Sequence, residues 1–262
     1  MQNLEVFQVS VSLQGSDLYQ FLDIESLSSL YPRLRTLKIV YFYGAAIELD
    51  RLPHLATLPH LENLTIQVSL YYWEPADWSV TFQALRKLTL SCDQFVDIGT
   101  FLAHIDVPQL RTLSICENCA NTNTMAQDLA VHLHTLVTRC PALTSFYWTS
   151  IQVNMAKMGY VGKPRIDVPL AELVAPLLDL RAMQHFSVCF RGPTVSYTPA
   201  DLCAFAEAWP SLETFHFYDS DSSKSSDEEH YADIESIAAF TRACPQLRSI
   251  HIPIARLDLP AT

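Results

Sequence analysis

A six-residue apolar spacing, Leu-x-x-Leu-x-Leu with tolerant substitution, returns nine times and fills nearly the whole chain. It reads Leu4/Phe7/Val9, Leu34/Leu37/Ile39, Leu61/Leu64/Ile66, Leu85/Leu88/Leu90 and Leu110/Leu113/Ile115. It continues as Leu143/Phe146/Trp148, Met183/Phe186/Val188, Leu212/Phe215/Phe217 and Leu247/Ile250/Ile252. Side chains alternate faces along a strand, so the fourth and sixth motif positions point the same way. Leu37 with Ile39, or Leu113 with Ile115, would face a core while Lys38 or Ser114 between them faces out. Strands stacked in parallel each need a crossover back to the same edge. The expectation is therefore an α/β fold, a leucine-rich-repeat solenoid shaped as a right-handed horseshoe, with about nine irregular repeats.

The crossovers read as helices in four places. Asp17 to Leu27 follows Ser16, a good N-cap, and Gln127 to Val137, Ala200 to Ala208 and Ile234 to Phe240 carry apolar residues at helical spacing. Pro32, Pro59, Pro108, Pro141, Pro210 and Pro245 each stand two residues before a motif Leu. A proline there stops a preceding helix and predicts an extended approach to the strand. The ninth motif position, Asn in regular repeats of this kind, is degenerate here. It is Ser12, Phe42, Ser69, Asp93, Asn118, Ile151, Arg191, Ser220 and Ala255, which predicts uneven stacking. Residues 1–262 read as one domain, with insertions at 154–169 and a mobile acidic loop at 219–233.

Composition narrows the function classes. Net charge is −11 and no Lys/Arg run occurs, so the reading is no nucleic-acid partner. An acidic chain favours basic or neutral protein partners. The opening MQNLEVFQVSV has no basic or apolar leader character, and no apolar run has the length of a membrane span. Seven irregularly spaced cysteines fit reduced thiols in the cytoplasm or nucleus.

The pairs Tyr31-Pro32, Cys140-Pro141, Trp209-Pro210 and Cys244-Pro245, each followed by its motif, resemble the repeat region of fungal F-box/leucine-rich-repeat proteins, the basidiomycete type especially. In that family an N-terminal F-box docks on a cullin–RING ubiquitin ligase and the repeats hold a substrate protein. No F-box precedes the first motif of this chain. The resemblance implies a non-enzymatic protein-interaction module, the substrate-recognition part of an F-box-type ligase receptor, with cullin–RING subunits recruited through the absent F-box. A stand-alone scaffold or inhibitor is the alternative reading.

Candidate contact residues follow from the strand pattern. The residue between the two core positions is Gln8, Lys38, Thr65, Thr89, Ser114, Tyr147, Ser187, His216 and His251, a mostly neutral polar row. Tyr41, Tyr43, Tyr71, Tyr72 and Trp73 cluster after the second and third motifs, and Tyr218 follows the eighth. Tyr and Trp bury large area while keeping a polar handle, which suits protein recognition, although such rings also plug cores. Ser225 and Ser226 each precede an acidic residue by three positions and are candidate phosphorylation sites, set against a plain solvated loop. Cys116 and Cys119 form a lone C-x-x-C; a zinc enzyme would need further ligands such as His132 and His134. No hydrolase elbow, zinc-protease helix or phosphate loop is present, so neither a metal nor a cofactor is expected.

Overall fold

A computed structural model describes residues 4–12, 26–42, 52–68, 79–92, 95–119, 125–152, 165–166, 168–191, 194–219 and 233–253. Each of the nine motifs ends in a strand. These are β1 Val6–Ser12, β2 Thr36–Phe42, β3 Asn63–Val68, β5 Lys87–Cys92, β7 Thr112–Cys119, β8 Ser145–Gln152, β10 His185–Arg191, β12 Thr214–Asp219 and β13 Ser249–His251. They form one nine-stranded, all-parallel sheet in sequence order. Two small parallel pairs lie apart from it, β4 Val80–Thr81 with β6 Ile105–Asp106 and β9 Arg165–Ile166 with β11 Thr194–Val195.

The α/β class holds, but the expectation of a leucine-rich-repeat solenoid is corrected. What the described residues share is the strand, and the return segments have no common element. They hold α1 Leu27–Leu30, α2 Leu52–Ala56, α3 Phe95–His104, α4 Met125–Arg139, α5 Leu170–Leu173 with a 3-10 turn at Ala175–Asp179, α6 Pro199–Ala208 and α7 Ile234–Ala243. Helices of 4, 5, 10 and 15 residues cannot stack as one repeating unit. The architecture is a nine-stranded parallel sheet with unequal crossovers, not the expected right-handed horseshoe of about nine irregular repeats.

Register is set at the strand entries. The carbonyl before each strand accepts two N–H groups from the next: Arg35 and Thr36 bond Glu5 O at 2.8 and 2.9 Å, and Arg111 and Thr112 bond Arg86 O at 2.9 and 3.0 Å. The same double bond recurs at Arg35, Glu62, Arg111, Thr144, Gln184 and Glu213. Identical motif positions therefore face each other across every strand pair, as in Leu64↔Leu88↔Leu113↔Phe146↔Phe186↔Phe215. A one-residue slip would send all of them to the solvent face.

The prolines do something other than extend the backbone. The motif Leu N–H closes a tight turn onto the carbonyl of the residue before proline: Leu34 to Tyr31 at 3.0 Å, Leu143 to Cys140 at 3.1 Å, Leu212 to Trp209 at 3.1 Å. Proline sits at the second position of that turn, where its fixed φ is already suitable and no N–H is needed.

Three of the expected helices are present. The 127–137 expectation lies inside α4, the 200–208 expectation lacks only Pro199, and α7 runs three residues past Phe240. The fourth, Asp17 to Leu27, lies outside the described residues as far as Glu25, as do the acidic stretch 220–232 and most of 154–169. Asp233, placed by sequence in the acidic loop, is instead the N-cap of α7, accepting from Ser236 N at 2.7 Å. Thr198 and Asp201 form a capping box at α6, and the Asp201 carboxylate also accepts from Ala171 N at 2.8 Å, so this buried acid is fully engaged. Helix α3 was not anticipated. Ile98, Phe101 and Leu102 give it a buried stripe, but Gly99 weakens the pattern. A Cβ on Gly99 would fall 1.6 Å from His132 Nδ1, so glycine is what lets α3 approach α4.

The core changes character along the sheet. Its first half is Leu and Ile; from β8 onward Phe146, Phe186 and Phe215 stack at centroid separations of 6.1 and 5.5 Å, with Trp209 4.9 Å from Phe186. Trp209 Nε1–H donates to Leu177 O at 3.2 Å, which removes the cost of burying the indole. Cys92, Cys140 and Cys244 are buried cysteines. No described helix is long and apolar enough to cross a membrane.

Two substitutions check this packing. Leu113→Asp puts a charge at a fully buried, strand-flanked position and should abolish the cooperative thermal transition; an unchanged melting curve would contradict the register. Gly99→Ala should cost about 1–3 kcal/mol by forcing the His132 ring away, read as a lowered denaturation midpoint.

Candidate functional site

Among the described residues the helices lie on one face of the sheet and no element packs on the other. Burial alternates along the strands, with core positions buried and the residues between them half-buried in β3 and β10. Three rows run across the free face. The first is Val6, Thr36, Asn63, Lys87, Thr112, Ser145, His185, Thr214 and Ser249; the second is Gln8, Lys38, Thr65, Thr89, Ser114, Tyr147, Ser187, His216 and His251. The third is Ser10, Val40, Gln67, Ser91, Cys116, Thr149, Cys189 and Tyr218.

The sequence-derived candidates divide accordingly. Lys38, Tyr147, His216 and His251 share the second row and Tyr218 the third. Tyr147 is 37% exposed, high for an aromatic ring on a sheet. The structure brings together His216, Tyr218 and His251: Tyr218 stacks on His251 at 4.1 Å, and His216 meets their rings edge-on at 5.7 and 6.4 Å. Lys38 is not part of that group. It lies on β2, four strands from Tyr147, or about 19 Å at ordinary strand spacing. Tyr41 lies in β2, but its side chain is outside the described residues, as are Tyr43, Tyr71, Tyr72, Trp73, Ser225 and Ser226 altogether.

Sequence reasoning missed Ser249. Its hydroxyl lies 2.8 Å from His216 Nε2, because Ser249 enters β13 beside the strand that carries His216. This contact joins a hydroxyl to a base, but the other imidazole nitrogen faces the Tyr218 hydroxyl at 3.5 Å rather than a carboxylate. Burial first, and the neighbouring His251 second, hold the His216 imidazole below its usual pKa, which weakens it as a base. Ser249 N–H is occupied by Glu213 O at 3.1 Å, so it cannot serve a developing oxyanion. The arrangement is a hydrogen-bonded aromatic patch. It could accept or donate bonds to a peptide backbone.

The C-x-x-C pair has little chemistry within reach. Cys116 is on the free face, and burial, then Glu117, push its thiol pKa up against an opposing Arg191. A raised thiol is a poor nucleophile and a poor metal ligand. His132 packs against α3 behind the sheet, so it does not face Cys116. Among the described residues no three His, Cys, Asp or Glu side chains converge as a metal site.

One buried acid was also missed. Glu117 follows Cys116 and so points to the core face, between Cys92 and Ser150 on the flanking strands. It is 1% exposed, and Trp148 Nε1–H donates to its Oε1 at 3.2 Å. Burial raises the carboxyl to about 7. The Trp148 bond opposes that rise, as does the Ser150 hydroxyl, which has no well-formed hydrogen bond of its own among the described residues. The signal in sequence was parity: a Glu two places after Ile115 continues the core face.

The folded protein holds this proton up to about pH 7, whereas the unfolded chain releases it near 4.5. Stability from this group is therefore full below about 4.5 and is lost as pH rises through 7. Glu117→Gln should flatten that slope and gain on the native chain by about 3 kcal/mol between pH 4.5 and 8. Denaturant titrations at several pH values measure it; parallel profiles would show that Glu117 does not titrate with folding.

Comparison with known proteins adds no family assignment: no family model matches the chain, and no curated protein matches it in sequence.

Proposed function

We propose that this chain is a non-enzymatic protein-interaction module whose free sheet face holds a segment of a partner protein. The observation that carries the reading is the second row with its neighbours, where Tyr147 stands exposed beside a field of short hydroxyl side chains that leads to the His216–Tyr218–His251 patch. Exposed aromatic rings amid small polar groups supply anchor area and hydrogen bonds at little entropic cost. The strand backbones are already spent on their neighbours, so recognition would run through side chains.

Catalysis is the weaker reading. The Ser249–His216 contact lacks an orienting carboxylate, and the Cys116 thiol is raised rather than activated. Delivery of the held protein to a cullin–RING ubiquitin ligase rests on the sequence resemblance alone; a scaffold or inhibitor that holds its partner without delivering it is the other form.

The test is affinity capture from a cell extract with the native chain and a Tyr147→Ala/His251→Ala variant of matched folding. A partner held by this face should be recovered about tenfold less by the variant, since central aromatic anchors dominate such contacts. Equal recovery would remove the face from the reading. Cullin–RING subunits among the captured proteins would support delivery, and one stable partner without them would support the scaffold.

A further inference from the structure

The charges of this protein are not spread evenly over its surface. Of 262 residues 28 are Asp or Glu, against 17 Lys and Arg, yet none of the three rows of the free face holds a carboxylate. The cations there are Lys38 and Lys87. Along the strand entries, one residue before the first of those rows, runs a further row: Glu5, Arg35, Glu62, Arg86, Arg111, Thr144, Gln184, Glu213 and Arg248.

That edge row treats its arginines in two ways. Toward one end Arg35 pairs with Glu62 at 3.1 Å, and at the other Arg248 pairs with Glu213 at 3.5 Å. Between them Arg86 and Arg111 are direct neighbours, and Lys87 stands beside Arg86 in the first face row. All three are exposed, and none makes a side-chain ion pair or hydrogen bond among the described residues. The entry carbonyl of Arg86, bonded to Arg111 N and Thr112 N, holds the two arginine backbones about one strand spacing, ~4.8 Å, apart. Like charges on adjacent strands repel, and the one carboxylate next to them in the row, Glu62, is turned to Arg35.

We propose that Arg86, Lys87 and Arg111 dock an acidic segment of a protein partner at the strand-entry edge of the sheet. This deepens the interaction reading above and rests on it. Carboxylates of the partner would take the place that Glu62 and Glu213 take for Arg35 and Arg248, with the Thr89, Thr112 and Ser114 hydroxyls beside them as donors. The nearest-neighbour field decides, because screening at physiological salt confines each surface charge to about 8 Å. The net charge of −11 on the whole chain therefore does not cancel the site. The geometry favours an acidic peptide over nucleic acid. Glu62 interrupts the cationic row on one side and neutral Thr144 and Gln184 end it on the other, so a continuous phosphate backbone finds no track.

Fluorescence anisotropy with three labelled probes tests the proposal: a short Glu/Gly peptide, its Lys/Gly counterpart, and a single-stranded DNA oligonucleotide. The native chain should bind the Glu peptide, with affinity falling as salt rises, and should bind the other two at least tenfold more weakly. Arg86→Gln/Arg111→Gln, with Lys87→Gln as a separate milder variant, should weaken the Glu peptide about tenfold with unchanged circular dichroism, while Arg242→Ala on α7 should not. Equal binding by the Gln variants, or preference for the Lys peptide, overturns the proposal. Tighter binding of DNA overturns it in favour of a nucleic-acid surface. A captured partner that needs Tyr147 but is indifferent to Arg86 and Arg111 would leave the interaction reading standing and remove the acidic segment; if Tyr147 is also indifferent, both fall.

Discussion

The structure depends on a backbone device at the start of each strand, where one carbonyl accepts two N–H groups from the next strand. Glu5, Arg35, Glu62, Arg86, Arg111, Thr144, Gln184 and Glu213 all act this way, although their side chains have nothing in common. The device needs only that the chain leaves a tight turn at a fixed distance from the strand. A tight turn with a Leu or Met at its fourth position supplies that, helped by proline at the second position before six of the motifs, so the register is renewed whatever the crossover's length. This explains how return segments as different as a four-residue and a fifteen-residue helix can serve one regular sheet.

A fixed register turns single residues into ladders, and ladders concentrate consequences. On the core face aliphatic ladder positions give way to stacked Phe and Trp from β8 onward. The same ladder carries Glu117 inward between Cys92 and Ser150, where the indole of Trp148 meets it. A carboxyl in that place is tolerable chiefly because it can keep its proton. On the free face the ladder does the opposite, collecting hydroxyls, imidazoles and cations while the carboxylates lie elsewhere.

Charge illustrates how far composition misleads about a surface. The net value of −11 suggests basic partners, and the absence of any Lys/Arg run suggests no cationic site. Arg86 and Arg111 are 25 positions apart in the chain, yet they are neighbours in space because each precedes a strand of the same ladder. Clustering of this kind is invisible to a search for runs and visible only once strands are paired.

The strands, their inward positions and three of the helices were legible in the sequence, because a period-two pattern bounded by Pro-x-Leu leaves few other ways to bury so many apolar residues. Helix α3 was not, since Gly99 breaks its propensity and its reason, the His132 ring, is on another helix. Nor was the turn made by each proline, or the lack of a common return element, which corrected the solenoid expectation. Of the candidate site, the membership of Lys38, Tyr147, His216 and His251 in one row followed from local alternation alone. That His216 meets Ser249 and Tyr218, that Lys38 stands apart from them, and that Arg86 and Arg111 are neighbours were decided by strand order. Alternation is a property of each segment, whereas neighbours across a sheet are set by which segments pair, and pairing is a property of the whole fold.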